Sequence, residues 1–218
     1  MEYFDVLNEN GEFTGKIESR EECHKKGLWH RAVYGFIFNK NGEVLLQKRS
    51  KNKKLWPNLW DVTVGGHVLS GEFGKQALIR ETKEELGIVI KENEIQYLVG
   101  STSSNIKGNI INNHFNECYI ITKDIEISQI QLQEDEVEEV RWFPKQEILA
   151  RINDNFNGIT EKTGPWNFLK KYYETLDKII IEVGSTCTKI DKYDGKNVER
   201  IKEITIEFKR HYAEDKKL

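Results

Sequence analysis

The segment from Gly66 to Ile88 constrains the fold of this chain more than any other part of its sequence. Residues 73–86 predict a helix that ends at Gly87, because glycine readily adopts the left-handed conformation that follows a helix. Residues 61–64 predict a strand before it, with a tight turn at residues 65–66. Side chains four apart on one helix face should pack on a core; they are Leu78, Thr82 and Leu86.

The opposite face of the predicted helix is acidic. Residues three and four apart share a face, so Glu81, Glu84 and Glu85 point together, with Arg80 beside Glu84. Clustered carboxylates repel one another unless a cation lies between them, and oxygen ligands suit Mg²⁺ or Mn²⁺. An isolated glutamate pair is usually only solvated surface. The fixed spacing from Gly66 onward favours a metal site instead, and the Gly66 carbonyl could join it.

The rest of the chain alternates strand and helix patterns, which predicts an α+β fold. Residues 39–42 join two β-branched or aromatic runs and predict a hairpin. Beyond residue 163 the pattern predicts a helix at 165–181, whereas 200–211 fits either strand or helix. Strands are expected at 3–7, 32–38, 44–47, 95–100, 118–122 and 140–143, and a short helix at 145–151.

Composition and charge argue against several functions. A formal net charge of -3 gives no basic field for binding a nucleic-acid backbone. No apolar run is long enough to cross a bilayer, and the start of the sequence has no signal-peptide pattern. Cys23, Cys118 and Cys187 lie far apart, which predicts reduced thiols. We therefore expect a cytoplasmic protein that binds neither nucleic acid nor membranes.

The spacing of this segment resembles the Nudix box. In this chain the box reads Gly66, five residues, Glu72, seven residues, and then the run from Arg80 to Ile88. The one departure is Thr82, where the family prefers an aliphatic residue. The resemblance implies a Nudix α/β/α sandwich with a mixed sheet. It also implies metal-dependent hydrolysis of a diphosphate linkage in a small, nucleoside-diphosphate-like molecule.

The resemblance also implies roles for individual residues. Glu84 and Glu85 resemble metal ligands, and Glu81 resembles either a ligand or the base that activates water. Glu72 and Arg80 resemble groups that orient these carboxylates. The implied cofactor is Mg²⁺ or Mn²⁺. The identity of the base stays open, with Glu81 ranked first.

The flanking sequence is similar to type 1 isopentenyl-diphosphate isomerase and to the Nudix hydrolases that resemble it. The similar stretches lie between residues 2 and 143 and include the runs 28–32, 46–49 and 56–57. In the isomerase, histidines at the places of His24, His30 and His67 help to bind a metal. Basic residues at the places of Arg49 and Lys53 hold the diphosphate. His114 and Glu117 are further candidates, because Nudix enzymes often use an extra acid outside the box. The expected substrate-binding residues are Arg49, Lys53, His67 and Glu117.

One residue separates the two activities. The isomerase depends on a cysteine two residues before the histidine of its Cys-Gly-His motif, and this chain has Gly65 there. The resemblance therefore favours hydrolysis, with the isomerase and a non-catalytic nucleotide-sensing module as alternatives. The implied domains are a Nudix domain at 1–162, including an N-terminal hairpin at 1–28, and a C-terminal extension at 163–218. Substrate identity stays open, and exposed aromatic patches could support a homodimer.

Overall fold

The computed structural model describes residues 1–184, so the segment 200–211 and Cys187 lie outside the described residues. The chain divides into two compact units, Met1–Phe168 and Leu169–Leu218. The strands are β1 Tyr3–Leu7, β2 Phe13–Ser19, β3 His30–Phe38, β4 Val44–Arg49, β5 Trp60–Asp61, β6 Val64–His67, β7 Ile95–Lys107, β8 Ile110–Thr122 and β9 Val137–Phe143. The α-helices are α1 Arg20–Lys26, α2 Gly74–Leu86, α3 Lys145–Asn153 and α4 Thr163–Gly184.

Seven strands form one mixed sheet in the order β5-β4-β3-β8-β7, with β6 paired to β3 and β9 paired to β4. Strands β3 and β8 run parallel, and the other pairs are antiparallel. Strand β3 pairs with β6 over residues 32–35 and with β4 over residues 37–38. The predicted α+β fold with a mixed sheet is confirmed.

Helix α2 packs on this sheet through the face that its sequence predicts. Leu78, Thr82 and Leu86 are completely buried, and the helix ends at Gly87 with a φ of 65°. The Thr82 hydroxyl donates a 2.6 Å hydrogen bond to the Leu78 carbonyl. This bond satisfies the polar group that the unusual threonine brings into the core, so the substitution does not disturb the packing of α2.

The predicted strand at 61–64 and the predicted turn at 65–66 are wrong. Residues 60–61 and 64–67 form two separate short strands, and Gly65 and Gly66 lie inside β6, opposite Tyr34 and Val33. The glycines serve close packing here, because a Cβ atom at Gly66 would overlap with the carboxyl group of Glu81. The glycine pair therefore marks a strand that lies directly against α2.

Strands β7 and β8 are each 13 residues long and extend well beyond the predicted segments. Their added parts are rich in serine and asparagine, which have low strand propensity. The two strands pair with each other over almost their whole length, and this long-range pairing overrides local preference. The extension carries residues 110–117 toward the region of α1 and β6.

The N-terminal hairpin forms its own two-stranded sheet from β1 and β2, as the sequence predicts. Ser19 caps α1 through the amide of Glu22, and Gly27 ends the helix with a φ of 65°. The Leu7 amide donates a 2.8 Å hydrogen bond to the Trp29 carbonyl, which ties the hairpin to the start of β3. Over the described residues, no helix combines the length and apolar character required to cross a membrane.

Candidate active site

A cavity of about 680 Å³ lies where α2, β3, β6 and the β7–β8 hairpin meet the loop 52–56. One part of its lining is acidic and another part is basic, an arrangement that suits a cation and an anionic ligand together. The sequence-predicted site residues that line it are His24, Arg49, Lys53, Gly66, His67, Glu81, Glu84, Glu85 and His114. The predicted residues outside its lining are His30, Glu72, Arg80 and Glu117.

The acidic part of the cavity consists of three glutamates of α2. Glu85 is only 7% exposed and accepts a 2.9 Å hydrogen bond from Gln47 Nε2. Burial, reinforced by the charge of Glu81, raises the pKa of Glu85 to about 8, and burial raises the pKa of Glu81 to about 6. Buried carboxylates with mutual repulsion fit a hard divalent cation, which supplies the missing positive charge. With Glu84 they form a set that could hold Mg²⁺ or Mn²⁺.

Arg80 and Glu72 support this acidic group from outside the cavity. The Arg80 guanidinium donates to both oxygens of Glu72 at 3.0 Å and to Glu81 Oε1 at 2.8 Å. It also donates to the His67 carbonyl at 2.9 Å, which ties β6 to α2. Glu72 in turn accepts from the Leu69 amide at 3.0 Å. The structure therefore places this pair where it can orient the Glu81 carboxylate.

Four histidines from four different elements converge beside the glutamates. Each of His24, His30, His67 and His114 offers a ring nitrogen, and these atoms all lie within 4.8 Å of one another. The resemblance to the isomerase predicts three of them, with His114 as a further candidate. The pairing of β8 with β3 places His114 directly opposite His30.

The histidine cluster has the protonation state that a metal ligand needs. Burial lowers the pKa of His24 and of His30 to about 4, and it lowers the pKa of His67 and His114 well below the ordinary value. The Nε2 atoms of His24, His30 and His114 are buried without a hydrogen-bond partner in the structure. Neutral imidazoles with unpartnered nitrogens fit Zn²⁺ or a similar transition metal.

Glu117 points away from this region. Successive side chains of a strand alternate between faces, and His114 and Asn116 lie on the face opposite to Glu117. Glu117 accepts a hydrogen bond from the Tyr119 hydroxyl and lies against Gly74, the first residue of α2. The structure does not bring this predicted substrate-binding residue into the cavity.

The basic part of the cavity contains Arg49, Lys53 and Lys162. Lys53 is paired with Glu136, and Arg49 Nη1 donates a 3.1 Å hydrogen bond to Asp61. Sequence reasoning missed Lys162, which reaches the cavity from beyond β9 and α3. No local motif marks it, because only the folded chain brings it near the segment that carries the glutamates.

Comparisons with known proteins agree with this architecture. The family model described as the NUDIX domain matches residues 28–162. An uncharacterised Nudix hydrolase of Listeria innocua is 40% identical over 175 residues, which are 80% of this chain and 95% of that protein. An isopentenyl-diphosphate Delta-isomerase of Escherichia coli is 30% identical over 152 residues, 70% of this chain and 82% of the isomerase. A Deinococcus radiodurans crystal structure, 23% identical, matches with a TM-score of 0.61 and covers 78% of this chain and 98% of that one.

Proposed function

Because the chain belongs to the Nudix hydrolase family and is a pyrophosphohydrolase, we propose that it cleaves the diphosphate linkage of a small, nucleoside-diphosphate-like molecule in the cavity described above. Nudix hydrolases generally depend on divalent metal ions. The observation that carries the proposal is the acidic group of α2, whose three glutamates line the same cavity as Arg49 and Lys53. Hydrolysis of a diphosphate needs negative groups that hold the metal ion and positive groups that neutralise the phosphate oxygens.

We assign the following roles to the residues. Glu84, Glu85 and the Gly66 carbonyl hold Mg²⁺ or Mn²⁺, and Glu81 is either a further ligand or the base that takes a proton from water. A bound divalent ion neutralises charge on phosphoryl oxygens and lowers the pKa of coordinated water. Arg80 holds Glu81 in place through its hydrogen bond to Oε1, and Glu72 holds the Arg80 guanidinium through two hydrogen bonds.

Arg49 and Lys53 bind the diphosphate group from the basic part of the cavity. Their side chains are only 16% and 21% exposed, so a bound phosphate oxygen would meet them largely out of bulk water. Charge-assisted hydrogen bonds are stronger in such a place than at the surface. Since Arg49 already donates to Leu55 and Asp61, its guanidinium is held in one orientation.

The histidine cluster is a second metal site in our proposal. His24, His30 and His67 take the places of the isomerase histidines, and a ring nitrogen of His114 lies within 4.8 Å of theirs. The His30 Nδ1 atom lies 2.8 Å from the Leu28 carbonyl, which fixes the ring with Nε2 directed to the cluster when Nδ1 carries the proton. Four nitrogen ligands favour Zn²⁺ over Mg²⁺.

Hydrolysis and isomerisation are separated by one assay. Purified protein is incubated with Mg²⁺ and a panel of nucleoside and isoprenoid diphosphates, and phosphate-containing products and dimethylallyl diphosphate are both measured. We expect hydrolysis products that Glu85→Gln abolishes, while Glu92→Gln, at an exposed glutamate outside the cavity, leaves them unchanged. Conversion of isopentenyl diphosphate to dimethylallyl diphosphate would instead establish an isomerase. Tight ligand binding without turnover would indicate a sensing module.

A further inference from the structure

Asp61 is a buried carboxylate that is paired with two cations of the cavity lining. Its side chain is 1% exposed, and its Oδ1 atom accepts hydrogen bonds from the Val62 amide at 2.9 Å and the Thr160 hydroxyl at 3.1 Å. Its Oδ2 atom accepts from Arg49 Nη1 at 3.1 Å and from Lys162 Nζ at 2.6 Å. One buried negative charge therefore holds two cations.

Asp61, Arg49 and Lys162 form a triad whose charges do not cancel. Burial alone would raise the pKa of Asp61, but the neighbouring Lys162 and Arg49 outweigh it, and the pKa lies below its ordinary value. Burial lowers the pKa of Lys162, and the carboxylate beside it does not fully restore it. The three side chains thus place two positive charges against one negative charge. A buried excess positive charge is costly unless an anion reaches it.

Lys162 faces the cavity, where such an anion could bind. Its side chain is 16% exposed, and its Nζ atom lies 5.3 Å from the centre of the Tyr34 ring and 5.7 Å from that of Trp56. Both aromatic residues line the same cavity. The bond to Asp61 uses one of the three ammonium protons, which leaves the others for a ligand.

The wall of the cavity that contains Arg49, Trp56 and Lys162 has a strained backbone at Trp56. Trp56 and Asn58 have positive φ angles of 50° and 61°, a conformation that costs non-glycine residues free energy. The strained loop places the indole ring beside the Lys162 ammonium, on the side of the cavity that carries Arg49. Strain of this kind persists where the surrounding structure holds a functional side chain in place.

We propose, on the basis of the diphosphate hydrolysis proposed above, that Lys162 is a further diphosphate-binding residue and that Asp61 is its positioning residue. Lys162 and Arg49 share the single carboxylate of Asp61, and both line the cavity where the ligand would bind. A diphosphate group, with its several negative charges, matches this wall better than a monophosphate does. The triad thereby selects for a diphosphate over a monophosphate.

The test measures binding of methylenediphosphonate, a non-hydrolysable diphosphate, to the full chain in the presence of Mg²⁺ by calorimetry. The main variant is Lys162→Gln, which removes the charge and keeps an amide that can donate a hydrogen bond toward Asp61. We expect the Kd to rise about tenfold or more. Lys162→Arg should retain most of the affinity, and Lys40→Met, at an exposed turn residue outside the cavity, should bind as wild type does.

Two further measurements separate ligand binding from a purely structural role. Lys162→Gln should weaken the binding of inorganic phosphate less than the binding of methylenediphosphonate. Asp61→Asn should raise KM for the hydrolysed substrate more than it lowers kcat. A folded Lys162→Gln protein that binds methylenediphosphonate like wild type overturns the inference, as does a wild-type protein that binds none. If Lys162→Gln does not fold, Lys162→Met is measured in its place, and a folded Lys162→Met protein that binds methylenediphosphonate like wild type overturns the inference.

Binding and turnover fail independently. Binding that depends on Lys162 in a protein that hydrolyses no diphosphate of the panel would refute the proposed function and keep the role of Lys162. A folded Lys162→Gln protein that hydrolyses the substrate with wild-type KM and binds methylenediphosphonate with wild-type affinity would refute the role of Lys162 and keep the proposed function.

Discussion

Gln47 Nε2 on β4 donates a 2.9 Å hydrogen bond to Glu85 Oε2 on α2, and both side chains are almost fully buried. An amide NH₂ group can only donate, so it holds this oxygen as an acceptor and fixes the orientation of the carboxyl group. The second oxygen of Glu85 is left to act as a ligand. The bond therefore links the strand that carries Arg49 to the proposed metal site.

We expect Gln47→Met to weaken metal binding while it preserves the core volume of the side chain. Loss of a hydrogen bond that orients a metal ligand typically costs about 10-fold to 100-fold in metal affinity. The measurement is a titration of hydrolysis against Mg²⁺ concentration, in which the half-saturating concentration should rise. Gln129→Met, at an exposed residue, is the control. Identical titrations for wild type and Gln47→Met would contradict a positioning role for Gln47.

A methyl group at Gly66 should disable the site without unfolding the protein. The Cβ atom of an alanine there would overlap with the Glu81 carboxyl group, so that carboxylate must move. A displacement of about 1 Å in a reacting group costs on the order of 100-fold in rate. Gly164→Ala is the matched control, because a Cβ atom at Gly164 meets no atom closer than 3.9 Å.

The two quantities to measure are kcat and the thermal unfolding temperature. Gly66→Ala should lower kcat about 100-fold, with a small change in unfolding temperature, and Gly164→Ala should leave both unchanged. Full activity of Gly66→Ala would show that the Glu81 carboxylate has no fixed position that matters for catalysis.

Helix α2 could be predicted from the sequence because its determinants are local. The four-residue spacing of Leu78, Thr82 and Leu86 and the terminating Gly87 act within one helix, whatever the rest of the chain does. The face that carries Glu81, Glu84 and Glu85 follows from the same spacing. The segment that carries most of the proposed chemistry is therefore the part that sequence reasoning describes best.

The parts that could not be predicted depend on contacts between distant residues. The polar ends of β7 and β8 pair with each other, and the parallel pairing of β8 with β3 puts His114 opposite His30. The strict alternation of a strand sends Glu117 to the other face. Lys162 meets Asp61 across 101 positions of sequence, and no local pattern encodes that distance.

Arg80 and Glu72 should behave as one unit in a double-mutant cycle. The guanidinium contacts both Glu72 oxygens at 3.0 Å, and a lysine cannot reproduce this two-point contact. We expect Arg80→Lys and Glu72→Gln each to lower activity and the free energy of unfolding. The double variant should have nearly the same activity and free energy of unfolding as the more impaired single variant. This corresponds to a coupling free energy of about 1–3 kcal/mol between the two residues. Strictly additive effects would mean that the two residues act independently.

The histidine cluster should bind Zn²⁺ in a manner that depends on His114. We expect His114→Gln to lower Zn²⁺ affinity at least about tenfold, because one of four nitrogen ligands is lost. Dialysed protein titrated with Zn²⁺ against a chromogenic chelator measures this affinity. Glu117→Gln is a sensitive control, because the residue lies on the same strand but on the opposite face. Equal affinity in wild type and His114→Gln would remove His114 from the ligand set.

Asp61 should contribute to stability in a pH-dependent way. Its folded-state pKa lies below the ordinary value of 3.8, so its contribution is complete at higher pH and is lost as the pH falls through the folded-state pKa. Removing one partner of a buried ion pair costs about 3 kcal/mol, because the remaining charges lose their compensation. Asp61→Asn should therefore lower the free energy of unfolding by about that amount near neutral pH. Urea unfolding of both proteins should show the difference shrinking below about pH 4, where the aspartate of the unfolded chain becomes protonated. A difference that stays constant down to strongly acidic pH would mean that the buried charge of Asp61 does not stabilise the fold.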